Sequence, residues 1–272
     1  FIDGLLSKKP YTSNVPDQPT RGRFSPFLFT GTTFSTGGYS AEYGDALSSA
    51  LILTSNSFPT KTQTEVSLMT IGGGVTHTLK GKSASLALGA EYINLGPYYQ
   101  VVPNRFAMHQ PPEAAGFTLS SRIGSKRGSI TKLLSTYSGS RYGIQYPNLE
   151  EFGAESKLNL SDANSYTNIT HTEELPLGWI LKTGTAFTFD TNDLDMEAFR
   201  VHERNSNLQA KVTAKRKLSP ILTLYLGITE TYNNFEQMYH EVESEFKNTS
   251  GFEDYGTALF AETQINPVNR VA

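Results

Sequence analysis

The sequence predicts an all-β protein built from antiparallel strands, and three observations support that prediction. The composition favours strands and turns, because Gly, Ser, Thr, Asn and Tyr are abundant while only 38% of the residues are hydrophobic and 18% are charged. Apolar and polar residues alternate with a period of two along most of the chain, which is the periodicity of a half-buried strand. Stretches of useful length with helical periodicity are absent. About nine strands are expected.

The alternation is clearest in residues 207–215, where every even position is apolar and every odd position is polar. It resumes in residues 222–229 after a turn at residues 217–220. Each set of residues lies on its own face of a strand, so one face is suited to lipid or an apolar core and the other to water or a polar partner. Short turns alternate with long loops along the chain, and this combination predicts part of a transmembrane β-barrel.

The N-terminal part, residues 1–62, is expected to form a separate domain because Pro and Gly interrupt it repeatedly. Within it, residues 46–54 are small and apolar on both faces, which predicts a buried strand. Residues 63–272 are expected to hold the barrel strands. These are residues 64–79, 83–98, 116–125, 129–143, 165–175, 179–189, 206–216, 221–235 and 257–265. The predicted long loops are residues 97–114, 146–164, 190–204 and 236–254.

The strand at residues 179–189 has the residue distribution of a membrane-crossing strand. Trp179, Leu181, Phe187 and Phe189 share one face, with aromatic residues at both ends, where the interfaces of a bilayer would lie. Both ends of the chain resemble interrupted strands, so we interpret the sequence as an internal fragment of a longer protein. No run of 18 apolar residues predicts a transmembrane helix.

Charge and cysteine content exclude several classes of protein. The net charge is −3, so no basic face is large enough to neutralise many phosphates, and a nucleic-acid partner is not expected. The chain has no cysteine, which excludes disulfides, thiolate metal sites and cysteine nucleophiles. No cofactor is expected.

Residues 23–51, RFSPFLFTGTTFSTGGYSAEYGDALSSAL, closely resemble the end of the plug domain of TonB-dependent outer-membrane receptors, in particular those of the Bacteroidetes group. In that family a Tyr-Gly pair, here Tyr43-Gly44, and a strand of small residues lead from the plug into the first barrel strand. The resemblance implies a plug inside a barrel of 22 strands. Residues 1–62 would be the C-terminal part of the plug and residues 63–272 the N-terminal portion of the barrel. It implies structural or gating roles for Arg23, Gly38, Tyr43 and Gly44.

The same resemblance implies energised uptake of a nutrient, either an iron chelate, an oligosaccharide or a peptide, across the outer membrane of a Gram-negative bacterium. The partners would be the TonB complex, acting through an N-terminal region that this chain lacks, outer-membrane lipid and a surface lipoprotein. No enzymatic activity is expected. Two alternatives stay open: a non-transporting outer-membrane barrel or surface-binding protein, and a secreted β-sandwich enzyme acting on glycans.

Aromatic residues in the predicted loops are candidates for contact with the nutrient, because aromatic surfaces suit sugars and chelates alike. An equally favoured interpretation is that they pack loop against loop. The candidates are Tyr98, Tyr99, Phe106, Tyr146, Phe152, Phe199 and Tyr239. On the plug, Arg21 and Arg23 are expected to form a structural ion pair with a barrel carboxylate such as Glu91.

Other polar clusters are weaker candidates. Asp190, Asp193, Asp195 and Glu197 fall in one predicted loop and have the hard oxygen ligands that Ca²⁺ prefers, but an EF-hand pattern is absent, so a solvated acidic loop is the favoured interpretation. The five histidines show no ligand spacing, and no metal site is expected. A glycosidase needs two carboxylates held across a cleft, and nothing in the sequence singles out such a pair among the remaining acidic loop residues. Gly72-Gly73-Gly74 is not followed by the helix that a phosphate-binding loop requires. We interpret these glycines as small residues that make room for the plug inside the barrel.

Overall fold

The computed structural model describes residues 1–12, 22–44, 46, 48–56, 58–102, 107–125, 128–147, 155–244 and 246–265. Ten strands form one open antiparallel sheet in which each strand pairs with its neighbours in sequence. They are β3 (Gln63–Met69), β4 (Gly72–Lys80), β5 (Ala84–Asn94), β6 (Ala107–Gly124), β7 (Ile130–Pro147), β8 (Glu155–Leu175), β9 (Trp179–Met196), β10 (Phe199–Ser219), β11 (Leu222–Glu241) and β12 (Lys247–Ile265). The predicted all-β class is confirmed.

The other elements are short. Strands β1 (Phe29–Ser35) and β2 (Ala50–Ser55) form a separate two-stranded sheet, and a four-residue helix, α1 (Gly96–Tyr99), follows β5. Strand β2 begins four residues later than predicted, and it is only partly buried because Leu51 is exposed. No helix in the described part of the chain is long and apolar enough to cross a membrane.

The prediction of a single strand at residues 64–79 is wrong, because a tight hairpin divides it into β3 and β4. Gly72 begins β4 where β4 and β5 approach closely, since a Cβ atom at this position would lie 2.1 Å from the carbonyl oxygen of Tyr92. Gly73 and Gly74 likewise face the backbone of β3 and β5. The glycine triplet therefore makes room for neighbouring strands, and the sheet has ten strands rather than nine.

The predicted long loops are also wrong over most of their length, because the strands continue through them. Strand β8 begins at Glu155, β9 reaches Met196, and β10 starts after a connection of only two residues. Strands β11 and β12 extend through most of residues 236–254. In the extensions of β8 and β9 the apolar residues Leu158, Leu160 and Leu194 lie on the inner face. The apolar face therefore changes along these strands, and the alternation seen in their central parts does not continue.

The two faces of the sheet differ in both polarity and burial. We call the face that contacts residues 1–56 the inner face, and the opposite face the outer face. On β10 the inner side chains are polar and buried, namely Asn207, Gln209, Lys211 and Thr213. The outer positions between them are apolar, and Leu208 is 48% and Val212 41% exposed. The outer face carries further exposed apolar residues on neighbouring strands, among them Val75, Leu88, Phe117, Tyr137, Ile169, Phe187, Ile228 and Leu259.

The apolar band on the outer face has the height of a bilayer core. On β10 it lies between Arg204 and Arg216, a separation that corresponds to about 40 Å along the strand at ~3.4 Å per residue. A strand tilted by about 45° would then span roughly 28 Å, close to the ~30 Å of a hydrocarbon core. Trp179 lies at the Arg216 end of this band. Glu230 is a carboxylate within the band, and it accepts a hydrogen bond of 2.7 Å from Thr257.

The N-terminal segment, which we define as the described part of residues 1–56, packs on the inner face through an apolar cluster. Ile2 and Leu5 are 1% and 2% exposed and contact Leu134, Tyr166 and Ala186 of the sheet. A parallel bridge between Ile2 and Leu53 connects the start of the segment with β2. These contacts place the start of the segment, β1 and β2 against β7, β8 and β9.

Candidate functional site at the interface between the N-terminal segment and the sheet

The most deeply buried ion pair of the described residues joins Arg23 of the N-terminal segment to Asp162 of β8. Nη1 of Arg23 lies 2.6 Å from Oδ1 of Asp162, and the two side chains are 4% and 1% exposed. Nε of Arg23 donates to the carbonyl oxygens of Lys9 and Tyr11, at 3.1 and 2.9 Å. Asp162 also accepts a hydrogen bond of 2.7 Å from Ser140. The guanidinium group therefore connects two parts of the segment to the inner face.

The expected partner of Arg23 was a carboxylate such as Glu91, whereas its partner in the structure is Asp162. The difference arises because Asp162 lies in residues 146–164, which were predicted to be a loop and therefore given no face of the sheet. Arg21 lies outside the described residues.

A second ion pair joins Asp3 to Lys132 of β7. Nζ of Lys132 lies 2.9 Å from Oδ1 of Asp3, and the Asp3 side chain is 4% exposed. The backbone amide and hydroxyl of Ser55 also donate hydrogen bonds to Asp3. Nζ of Lys132 lies 3.2 Å from the Ser55 hydroxyl oxygen. This cluster ties the first turn of the segment and the end of β2 to the same point on the sheet.

A third ion pair joins Glu42 to Lys211 of β10, with 3.3 Å between Nζ and Oε1. Lys211 also donates to the carbonyl oxygens of Gly4 and Glu42, at 3.0 and 2.8 Å. The hydroxyl of Tyr225 donates a hydrogen bond to the Glu42 carboxylate. Nζ of Lys211 lies 5.5 Å from the centre of the Tyr43 ring, within the range of a cation–π contact. Lys211 thus connects two distant parts of the segment.

Of the proposed motif residues, Tyr43 lies beside this third ion pair, whereas Arg23 belongs to the first. The Tyr43 ring packs edge-to-face on Phe1, with 4.9 Å between ring centres. Burial and the neighbouring Glu42 raise the pKa of Tyr43 to about 12, because both disfavour the phenolate. Gly38 adopts a left-handed backbone with φ of 67°, whereas Gly44 does not. Glycine is therefore required by backbone conformation at Gly38 but not at Gly44.

The candidate loop aromatics occupy three separate places. Tyr98 and Tyr99 lie in α1 with their ring centres 5.3 Å apart. Phe199 and Tyr239 stack on the inner face at 5.7 Å, at the β9–β10 and β11–β12 end of the sheet. Tyr146 lies on β7 rather than in a loop. Phe106 and Phe152 lie outside the described residues. The structure thus brings the candidates together in two pairs and not in one site.

The acidic residues that were candidates for calcium binding do not form one cluster. Alternation along β9 places Asp190 on the inner face, and Asp193 and Asp195 on the outer face. Asp193 contacts His202, and Asp195 lies 3.2 Å from Nε of Arg200. The interpretation as a solvated acidic loop is wrong for Asp190, Asp193 and Asp195, which belong to β9, whereas Glu197 is exposed in the two-residue turn after β9. Within the described residues no group of three His, Cys, Asp or Glu side chains could hold a metal ion.

Of the six charged residues in these three ion pairs, the sequence singled out Arg23 and missed five, namely Asp3, Glu42, Lys132, Asp162 and Lys211. One signal was present for the fifth, because Lys211 occupies a polar position of the most regular alternating strand and so had to face inward. A charged residue that is buried on the inner face requires a partner on that face. The identity of the partner depends on the packing of the segment, which strand periodicity does not supply.

Comparison with known proteins places this geometry within a known fold. No protein-family model matches the sequence, and no curated protein matches it. The structure is similar to that of the ferric yersiniabactin uptake receptor FyuA from Yersinia pestis, with a TM-score of 0.51 and 9% sequence identity. The similarity covers 78% of this chain and 46% of that receptor. The chain therefore matches less than half the length of FyuA, and at this identity the similarity establishes a shared fold.

Two weaker similarities concern other outer-membrane proteins. The outer membrane protease OmpT from Escherichia coli has a TM-score of 0.27 and 12% identity, covering 71% of this chain and 82% of OmpT. The hemophore receptor HasR of Serratia marcescens, solved as a double mutant with its hemophore HasA and heme, has a TM-score of 0.39 and 13% identity. That match covers 97% of this chain and 51% of HasR. Both TM-scores are below 0.5, so neither similarity bears on the fold.

Proposed function

We propose that this chain is part of a TonB-dependent outer-membrane receptor and takes part in the energised uptake of a nutrient across the outer membrane. The observation that carries the proposal is the reversed polarity of the sheet. Its polar face is buried beneath a segment held by three ion pairs, and its apolar face is exposed. A β-barrel with a filled lumen requires this distribution. The plug-like motif in residues 23–51 and the fold shared with FyuA support the proposal.

In this proposal residues 1–62 are the C-terminal part of a plug and residues 63–272 the N-terminal portion of a barrel. The chain would be an internal fragment of a receptor of the Bacteroidetes type. The rest of the barrel would pair with the free edges of β3 and β12, because open edges are not tolerated in hydrocarbon. The protein would reside in the outer membrane of a Gram-negative bacterium, and its outer face would contact lipid.

The chemistry of the interface suits a plug that must be moved. Three separate ion pairs fix the segment at Asp3, Arg23 and Glu42, so it does not slide along the sheet. Buried ion pairs contribute little net stability, since the attraction between the charges mainly offsets the loss of their hydration. When the segment moves, water can enter and solvate the separated charges. A mechanical pull from the TonB complex would therefore separate the three ion pairs at little net cost, and the main apolar contact to be broken would be the cluster around Ile2 and Leu5.

Nutrient would bind on the opposite side, at the end that carries α1 and the connections after β7, β9 and β11. Tyr98, Tyr99, Tyr146, Phe199 and Tyr239 are the proposed contacts among the described residues. Phe106 and Phe152 belong to the same proposal but lie outside the described residues. A surface lipoprotein would cover this end. The nutrient is proposed only by class: an iron chelate, an oligosaccharide or a peptide.

No catalytic residue is proposed. A secreted β-sandwich enzyme would cover the apolar face of its sheet with a second sheet. Within the described residues the only other sheet is the β1–β2 hairpin, which lies on the inner face. A non-transporting barrel or a surface-binding protein stays as the second candidate, because the exposed apolar face would look the same.

The first experiment fractionates cells that express the full-length protein and compares unheated and boiled samples of the membrane fraction by electrophoresis. We expect the protein in the outer-membrane fraction, with an unheated band that migrates differently from the boiled band. Recovery as a soluble periplasmic or secreted protein would contradict the proposal.

The second experiment separates transport from a static barrel. The hydroxyl of Ser40 lies 2.6 Å from Oε2 of Glu262, so cysteines at these positions can be joined by a short bismaleimide. We expect the double variant to take up nutrient before cross-linking and to lose uptake afterwards, while surface binding of the nutrient persists. The single variant Ser40→Cys, treated identically, should keep uptake. Unchanged uptake in the cross-linked protein would show that segment movement is not required.

A further inference from the structure

A cavity of about 250 Å³ lies between the N-terminal segment and the inner face of the sheet. The sheet contributes Lys132, Lys182, Thr170 and Thr172 to its lining, and the segment contributes Tyr43 and Thr54. Since a water molecule occupies about 30 Å³ of liquid, this volume holds roughly eight waters. The lining is mixed, because the aliphatic side chains of Ile52, Leu53 and Ile130 lie beside the lysines and threonines. The volume is large enough for a small hydrated ion.

Register across the sheet concentrates cations around this cavity. Arg122, Lys132 and Lys211 lie in one transverse row of the inner face, separated on β8 and β9 by Thr170 and Gly184. The side chain of Leu5 packs over Gly184, where an added Cβ atom would lie 3.1 Å from Cδ1 of Leu5. Lys182 occupies the adjacent inner position on β9, where it pairs with Thr172 of β8. Four cationic side chains thus lie in two adjacent rows of the inner face, and two of them, Lys132 and Lys182, line the cavity.

The described carboxylates at this place neutralise only half of those charges. Asp3 also lines the cavity, but its carboxylate already pairs with Lys132 and accepts a hydrogen bond from Ser55. The carboxylate of Glu42 pairs with Lys211. Within the described residues neither Lys182 nor Arg122 has a carboxylate within ion-pair distance. Glu174, on the same face nearer to the short turns, is exposed and not in contact with Lys182. Among the residues that line the cavity, two lysines, Lys132 and Lys182, face the one carboxylate of Asp3, which leaves an excess of one positive charge.

We propose that this cavity binds a small tetrahedral oxyanion, of the phosphate or sulfate class. Lys182 supplies the uncompensated charge, the hydroxyls of Thr170 and Thr172 donate hydrogen bonds, and Lys132 adds a second positive charge while it retains Asp3. A charged donor and two hydroxyls form the charge-assisted hydrogen bonds that oxyanions require. Because the segment forms one side of the cavity and the sheet the other, a bound anion would strengthen the interface between them.

The test uses the purified full-length protein in detergent, titrated with sodium phosphate against sodium chloride of equal ionic strength. The midpoint of thermal unfolding and the line width of the phosphate ³¹P resonance are measured. We expect a saturable rise of the midpoint and a broadened resonance with phosphate only. Lys182→Gln should abolish both responses, and Thr172→Val, which keeps the shape of the side chain, should weaken binding about tenfold. The exposed turn residue Lys82 provides the matched control, Lys82→Gln, which should respond like the unmodified protein.

Two outcomes would overturn the proposal. One is the absence of a saturable response to phosphate beyond that to chloride. The other is a response that Lys182→Gln retains in full, which would indicate general screening of the basic surface. Because the measurement concerns binding to the purified protein, its result is independent of whether the protein transports a nutrient.

Discussion

The Arg23–Asp162 pair shows how a single buried charge pair can define the position of a long segment. Both side chains are almost completely buried, so removal of one partner leaves the other as an uncompensated charge in a medium that solvates it poorly. We expect Arg23→Met to lower the free energy of unfolding by about 3–5 kcal/mol. Thermal unfolding of the purified full-length protein in detergent checks this.

The double variant Arg23→Met/Asp162→Leu separates the ion pair from other effects of the substitutions. Replacement of both charges by apolar groups of similar size should recover most of the lost stability. Arg200→Met is a matched control, because the Arg200–Asp195 pair is 60% and 50% exposed, and exposed pairs contribute about 0–1 kcal/mol. A double variant as unstable as the single variant would contradict this account.

Tyr43 gives the interface a dependence on alkaline pH. Its pKa in the folded protein is about 12, whereas an unfolded tyrosine titrates near pH 10. The unfolded chain therefore loses the proton first, so stability is unaffected below about pH 10 and declines as the pH rises towards about 12. We expect Tyr43→Phe to show a smaller decline between pH 8 and pH 12 when unfolding temperatures are compared. Parallel curves for the two proteins would contradict the assignment.

At the scale of elements, strand periodicity predicts a structure wherever the two faces meet different solvents. Residues 207–215 were assigned correctly to the two faces because every odd side chain is polar and every even one is apolar. Strand periodicity does not identify residues 155–164 and 190–196, because the few apolar residues there, such as Leu158, Leu160 and Leu194, lie on the inner face, opposite to the apolar band. It also misses the β3–β4 hairpin, since the turn residues Thr70 and Ile71 include none of the usual turn formers.

The ion pairs could not be predicted for a related reason. A strand pattern indicates which way a side chain points, but not what covers that face. Asp3, Arg23 and Glu42 contact the sheet from the N-terminal segment. Pro and Gly residues interrupt this segment, so it has no strand periodicity from which the direction of its side chains could be predicted. The sequence resemblance in residues 23–51 identified the segment as important, and only the packing of the segment identifies its partners.

The alternation along β10 can be tested by single cysteines that carry a nitroxide spin label. In lipid vesicles, labels at Leu208 and Val212 should collide frequently with oxygen, which is concentrated in hydrocarbon, and rarely with a water-soluble nickel complex. Labels at the buried positions Gln209 and Thr213 should collide little with either reagent. A label at Arg204, beyond the apolar band, should prefer the nickel complex. Equal nickel access at Leu208 and Arg204 would show that the outer face is wet.

At the scale of the whole molecule, the polarity of the sheet is the reverse of that in a soluble protein, because its polar face is buried and its apolar face is exposed. Its polar residues are buried by a segment of the same chain, and its apolar residues form a continuous exposed band. Soluble monomers rarely expose so large an apolar surface. In the proposed receptor the two faces have different surroundings: hydrocarbon on the outer face, and a water-compatible filling on the inner face. The N-terminal segment is this filling.

Deletion of residues 1–56 from the full-length protein tests this relationship directly. The inner face that remains is lined by Asn164, Asn168, Thr188, Asn207 and Gln209, which water can solvate, so the barrel should persist with an open aqueous lumen. We expect a severalfold increase in single-channel conductance in planar bilayers and an unchanged difference between unheated and boiled bands in electrophoresis. Arg23→Met/Asp162→Leu, which keeps the segment, should stay close to the conductance of the unmodified protein. A deletion variant that remains non-conducting while the barrel persists would contradict the idea that the segment fills the lumen.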